Sequence, residues 1–164
     1  MVMEPKNLIF RHIDGTDIIN NKANLTGLIL DNLMINFPGF PSLSDYAADT
    51  YEDIKRFQKD NSAILIGAFD KDMLIGFLWA YKRNVFGKQR IHLSHIVINS
   101  EFRSHGIGSK LLHTLEDLAK SEGIKKIELL TTLQNTNTVE FYKAKGYQMT
   151  RVQFEKELVA TDDH

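Results

Sequence analysis

The chain contains no cysteine. Disulfides, thiolate metal sites and a cysteine nucleophile are therefore excluded. Charge of one sign is also missing: 20 basic residues stand against 21 acidic ones, a net charge of −1. No broad basic surface for nucleic acid follows from that balance. No apolar run approaches the roughly 18 residues that a membrane span requires. The opening stretch "MVMEPKNLIF" lacks the apolar region of a secretory signal. Internal repeats and low-complexity tracts are absent. These exclusions leave a soluble, cytoplasmic protein with no nucleic-acid partner, no membrane partner and no metal as the expectation. A length of 164 residues suits one domain, spanning 1–164.

Hydrophobic periodicity sets the order of elements. "NLIFRHI" (Asn7–Ile13) predicts a first strand. Ile18, Ile19, Leu25, Leu28, Ile29 and Leu33 recur at helical spacing and predict one helix over 17–36. "NFPGFPS" ends it, and Ser44 or Asp45 is placed to cap a second helix running to Lys59. "SAILIGAFD" and "MLIGFLWAYKR" read as two strands joined by a tight turn at 70–72. "RIHLSHIVI" is a third, followed by a glycine-bearing turn and a helix over 107–121. "IKKIELLTT" predicts a strand, Asn135 to Lys145 a helix stopped by Gly146, and "YQMTRVQFEKEL" a closing strand. Hairpins first and strand–helix–strand units afterwards predict a mixed sheet with helices on its faces.

The turn "FRSHGIGSK" (Phe102–Lys110) carries the chemistry. A helix start leaves backbone N–H groups unpaired and partly positive. Glycine lets an anion approach them closely, so Gly106 and Gly108 read as a phosphate cradle. Arg103, His105, Ser109 and Lys110 can add charge or donors. The plain alternative is a sharp turn that needs glycine for geometry alone. The Walker pattern is absent. A dinucleotide fingerprint is incomplete, because Leu111 occupies its third glycine position, although Glu128 stands about 20 residues on, where that fingerprint places its acid.

"VINSEFRSHGIGSKLL" (Val97–Leu112) resembles the acyl-CoA-binding motif of the GNAT N-acetyltransferase superfamily, with Arg103, Gly106 and Gly108 at its signature positions. "NTNTVEFYKAKGY" (Asn135–Tyr147) is similar to that family's second signature through Asn135, Tyr142, Gly146 and Tyr147. "LIGFLWA" resembles its third strand. The resemblance implies an α/β (α+β) fold with a mixed, mostly antiparallel central sheet of about six to seven strands flanked by about four helices. It implies direct acetyl transfer from acetyl-CoA to an amine of a small molecule or a protein. In that reading Ile96, Val97 and Ile98 pair with the pantetheine arm, and one of their backbone N–H groups polarises the thioester carbonyl. The amides of Arg103, Ser104, His105, Gly106, Ile107 and Gly108, with Ser109 beside them, hold the pyrophosphate. Asn135 contacts the CoA arm, and Tyr142 protonates the departing thiolate as general acid. The resemblance also allows a homodimer.

Direct transfer needs no covalent intermediate, and no GxSxG elbow occurs. One departure concerns the base. Several family members carry a carboxylate on the strand before the glycine turn, whereas Ser94 and His95 stand here. His95 is the first candidate base, His92 the next. Asn135 can equally be a helix N-cap, and Tyr142 a core tyrosine. For the acceptor, Phe37, Phe40, Tyr46 and Tyr51 could line a pocket, beside an acidic stripe of Asp45, Asp49 and Asp53 that is otherwise a solvated helix face. Trp79 and Tyr81 share one face of their strand, with core packing the simpler role for Trp79. A non-catalytic acyl-CoA-binding module and a dinucleotide-binding protein are the rival readings.

Overall fold

A computed structural model describes residues 4–158. The chain divides into two compact units, one ending at Leu130 and the other beginning at Thr131.

The first unit is built on a five-stranded sheet in the order β1-β2-β3-β4-β5. Its strands are β1 (Leu8–His12), β2 (Ala63–Asp70), β3 (Met73–Val85), β4 (Lys88–Ile98) and β5 (Ile127–Leu129). The first three ladders are antiparallel and β4 pairs with β5 in parallel. Two-residue turns join β2 to β3 and β3 to β4. In the second, Phe86 and Gly87 both take positive φ, 51° and 73°. That is the backbone twist which lets two strands reverse without splaying.

Helices α1 (Gly15–Asn20), α2 (Lys22–Asn36) and α3 (Leu43–Lys59) cover one sheet face, where Leu25, Leu28, Ile29, Ile54, Leu65, Phe77, Trp79 and Val97 form one buried cluster. Helix α4 (Ile107–Ser121) packs against β2, β3 and β4. Its buried Ile107, Leu111, Leu112, Leu115 and Ala119 recur every third or fourth residue, so one stripe of the helix meets the sheet. The second unit contains α5 (Thr136–Ala144).

The mixed, mostly antiparallel sheet agrees with expectation, but it has five strands rather than six or seven among the described residues. Residues 147–158 form no strand. Among the described residues they pair with no strand, and Met149, Val152, Phe154 and Leu158 are exposed. β5 is shorter than its apolar run. Ile124 is drawn off to close α4, its N–H donating to Ala119 O at 2.9 Å past Gly123 at φ +71°. The single helix expected over 17–36 is two. Asp14 and Asp17 form a reciprocal capping box that starts α1 early, and Asn21 breaks the run at φ −104°, ψ 19°.

Candidate active site

β4 pairs with β3 along its length, but its pairing with β5 covers only Ile91 to Leu93. Beyond Leu93 the two strands part. From Ser94 to Ile98 the edge of β4 away from β3 has no strand beside it among the described residues. Ile96, Val97 and Ile98 all lie on this open stretch. Val97 is anchored in the core, while Ile96 and Ile98 are half-buried. Its backbone groups can therefore receive an extended ligand as an added strand.

The turn that follows is held at several points. Asn99 N–H donates to Ile75 O at 2.8 Å, and its side chain accepts from Glu101 N at 3.0 Å. Phe102 is fully buried. Arg103 Nε donates to Ile98 O at 3.2 Å, and His105 Nδ1 lies 3.2 Å from Phe102 O. Ser104 and Gly106 both adopt positive φ, 68° and 71°. Gly106 is the N-cap of α4, and no side chain caps that helix. The first bond into the helix is Lys110 N–H to Gly106 O, at 3.0 Å. The N–H groups of Ile107, Gly108 and Ser109 precede it, and these are the ones an anion can take. A Cβ on Gly106 would meet nothing within 4 Å. Its glycine is required by the backbone angle and leaves the approach open.

A bulge shapes the face above this strand. On β3, Trp79 pairs with His95 and Tyr81 with His92. The ladder shifts between Trp79 and Ala80, so Ser94 is the extra residue on β4. Both imidazoles thereby lie on the Trp79 and Tyr81 face. His95 stacks on Trp79 with ring centroids 5.5 Å apart and planes 12° from parallel. Its Nδ1 pairs with the Ser94 hydroxyl at 2.9 Å. Burial pushes the His95 imidazole down to about 4. His92 rests against Tyr81, centroids 5.0 Å apart, and Tyr81 stacks on Phe57 of α3 at 5.1 Å. Burial and the Arg83 charge hold the His92 imidazole below its ordinary value, against the opposing pull of Glu128.

From the sequence, Glu128 stands out only as the acid of the incomplete dinucleotide fingerprint. Its carboxylate is paired with Arg83 and with Arg90, the latter at 3.3 Å, and lies 3.7 Å from His92 Nδ1. These pairings lower it below the usual carboxylate range despite its burial. One signal was available. Arg83 and Arg90 are equally spaced about the Phe86–Gly87 turn and pair directly in the ladder. Like charges opposite one another repel unless an anion sits between them.

In the second unit, Asn135 caps α5, its side chain accepting from Thr138 N–H at 3.3 Å. Tyr142 is buried, with the Phe141 ring at 5.2 Å and the Tyr147 ring at 5.5 Å. Burial pushes its phenol well above the usual range, so it stays protonated. α5 ends where Gly146 turns to φ +86° and Tyr147 N–H reaches back to Tyr142 O at 3.0 Å.

The aromatic candidates for the acceptor pocket separate. Tyr51 is buried and donates to Ile18 O at 3.3 Å, so it belongs to the core. Phe37, Phe40 and Tyr46 are exposed, the last two edge to face at 5.7 Å. Asp53 is paired with Arg56, as a solvated helix face would be.

Residues 29–147 match the family model described as the Acetyltransferase (GNAT) family. The N-acetyltransferase YdgE of Bacillus subtilis (strain 168) is 26% identical over 89 residues, 54% of this chain and 57% of that protein. The thialysine N-epsilon-acetyltransferase of Bos taurus is 28% identical over 76 residues, 46% of this chain and 45% of that one. The chain thus spans about half the length of these relatives. Among solved structures, the PaiA N-acetyltransferase of Thermoplasma acidophilum in complex with coenzyme A superposes with a TM-score of 0.75 at 20% identity, over 90% of this chain and 94% of that one. The aminoglycoside N-acetyltransferase AAC(6')-Iy in complex with CoA gives 0.68 at 21%, over 96% and 99%. These likenesses are likenesses of fold. No helix among the described residues is long and apolar enough to cross a membrane.

Proposed function

Because the chain belongs to the GNAT acetyltransferase family, we propose that it transfers the acetyl group of acetyl-CoA directly to a primary amine of a small molecule or protein. The observation that carries this reading is the uncapped, glycine-initiated α4 placed directly after an unpaired strand edge. A diphosphate needs backbone donors at a positive helix end, and a pantetheine arm needs a strand edge. One continuous stretch, 94–109, supplies both. That relatives of this fold are complexed with CoA supports the same donor.

Acetyl-CoA, when bound, supplies the acetyl group as a thioester. The N–H groups of Ile107, Gly108 and Ser109 would hold its pyrophosphate, with Arg103, Ser104, His105 and Lys110 rimming the turn. The open backbone at Ile96, Val97 and Ile98 would orient the arm and donate to the thioester carbonyl. Such a donor is worth on the order of 3 kcal/mol where it has been removed from other enzymes. The incoming amine must lose a proton as the C–N bond forms, and the sulfur must gain one as the C–S bond breaks. Tyr142, kept protonated by burial, is the proton source for sulfur. Asn135 would contact the CoA arm with whatever capacity its capping role leaves.

For the proton leaving the amine, His92 suits the task better than His95. His95 is held near 4, its Nδ1 is engaged by Ser94, and its ring lies flat on Trp79. A group that weakly basic takes a proton poorly at neutral pH. His92 stands one residue before β4 and β5 part and has a carboxylate beside it.

Calorimetric titration with acetyl-CoA, with NAD run in parallel, tests the donor. Binding of acetyl-CoA alone is expected. Binding of NAD alone would return the glycine turn to the dinucleotide reading. Thiol release across an amine panel then tests transfer, and CoA binding without turnover on any amine would leave a binding module.

A further inference from the structure

Four polar side chains meet where β3, β4 and β5 run side by side: Arg83, Arg90, His92 and Glu128. Arg83 and Arg90 are directly paired across the β3–β4 ladder, and His92 directly neighbours Glu128 across the β4–β5 ladder. The two arginines repel each other, and either one repels an imidazolium. Glu128 is the anion that all three share. The pair His92–Glu128 is next to the last in the parallel ladder, one pair before the strands separate. Its carboxylate is only about a fifth exposed, so water screens these interactions incompletely.

We propose that Glu128 is a positioning residue for the acetyl transfer: pinned by Arg83 and Arg90, it fixes the His92 ring and stabilises that ring's protonated form as the amine gives up its proton. The proposal rests on the reading of His92 as the base. His92 Nδ1 is buried without a hydrogen-bond partner, and Glu128 Oε1 stands 3.7 Å from it. With Nδ1 buried toward Glu128, the amine's proton would be taken at Nε2, and the cation so formed gains a charge-assisted contact through its Nδ1–H in the same step. The two arginines set the carboxylate's place, because each holds it from a different strand. They also keep it ionised, so that it accepts and does not compete for the proton.

The groups facing His92 can be followed element by element. β3 presents Arg83 and the Tyr81 ring, β4 itself carries Arg90 and His95, and β5 presents Glu128. The helices packed on β4 turn apolar residues inward: Leu25, Leu28 and Ile29 from α2, Leu111, Leu112 and Leu115 from α4. Arg83 and Glu128 therefore act on His92 with opposite sign.

The test is an NMR titration of the His92 imidazole in the full chain, with kcat/KM against pH measured alongside. In Glu128→Gln, the His92 midpoint should fall by about 1 pH unit. The acid limb of kcat/KM should move down with it, and kcat should drop roughly tenfold. Glu128→Asp should recover most of both. Unfolding would return the lowered His92 imidazole toward its ordinary value, so the fall in Glu128→Gln is a shift that unfolding would not imitate. Arg83→Met removes the opposing charge and should move the midpoint upward with far-UV circular dichroism unchanged. An unmoved His92 midpoint in Glu128→Gln, beside an inactive His92→Gln, would overturn the role of Glu128 and leave the base assignment standing. A wild-type rate in His92→Gln would overturn the base assignment and this proposal together.

Discussion

His92 and His95 lie three positions apart on β4 and yet share one face of the sheet. A regular strand would place them on opposite faces. The two-residue step from Trp79 to Tyr81 on β3 is matched by a three-residue step from His92 to His95 on β4, and Ser94 absorbs the difference. The bulge therefore decides which side chains surround the opening between β4 and β5.

The buried position of His95 has a consequence for stability. Its folded value is about 4, below the ordinary 6.5. The unfolded chain thus binds the proton more readily than the folded one. Stability from this group is complete above about pH 6.5 and is lost as pH falls toward 4. Urea melts between pH 4 and 7 should show that slope, and His95→Gln should flatten it.

Gly106 and Gly108 should respond differently to substitution. Gly106→Ala meets no atom within 4 Å but must hold φ +71°, so a stability loss of about 1 kcal/mol is expected from the backbone alone. Gly108→Trp places bulk over the N–H groups proposed to hold the diphosphate. Acetyl-CoA binding by calorimetry should vanish in Gly108→Trp, while far-UV circular dichroism stays unchanged. Undiminished affinity would remove the cradle.

Tyr142→Phe keeps the ring packed against Phe141 and Tyr147 and deletes only the hydroxyl. Turnover should fall about 10²-fold or more, with the acetyl-CoA Kd nearly unchanged. An equal loss of binding would make Tyr142 structural.

Gly76 sits tight against the β4 backbone. An added Cβ would stand 2.9 Å from Val97 O and 2.8 Å from Ile98 Cδ1. The carbonyl belongs to the ladder and cannot swing aside. Gly76→Ala should cost about 1–3 kcal/mol in a thermal melt. It should also weaken acetyl-CoA binding, because Val97 and Ile98 form part of the proposed arm site. A stable variant with unaltered affinity would show that the ladder yields there freely.

At the start of α1, Asp14 accepts from Asp17 N–H at 2.8 Å and Asp17 accepts from Asp14 N–H at 3.1 Å. Asp17 also takes both terminal nitrogens of Arg11, at 2.6 and 2.9 Å. The Arg11 guanidinium holds the Asp17 carboxyl below its usual range. This contribution is present above the usual aspartate range and is lost as pH falls through the lowered folded value. Asp14→Ala should cost about 1 kcal/mol. Asp17→Asn should cost as much at neutral pH and less in acid, as read from chemical melts at both.

Much of the architecture was legible from local pattern. Lys71 and Phe86–Gly87 fall in turns that the apolar runs on either side delimit, and the stripe from Ile107 to Ala119 is helical by spacing alone. Gly106 and Gly146 both mark helix ends by positive φ. These features rest on residues within one or two turns of one another, so local physics suffices for them. The closing strand was misread because alternation in 147–158 states only that a strand would be amphipathic, and not that a partner exists.

Chain order and residue type therefore settled most of the order of elements, the glycine turn at the start of α4 and the chemistry that cysteine-free side chains allow. Tertiary structure decided the strand count, the removal of Tyr51 from any pocket, the single face shared by His92 and His95, and the assembly of Glu128 with Arg83 and Arg90. Each of these depends on register between distant strands or on burial by a distant helix. A one-residue shift in pairing reverses every side chain of a strand, and no local pattern in β4 announces that Ser94 is the residue left over.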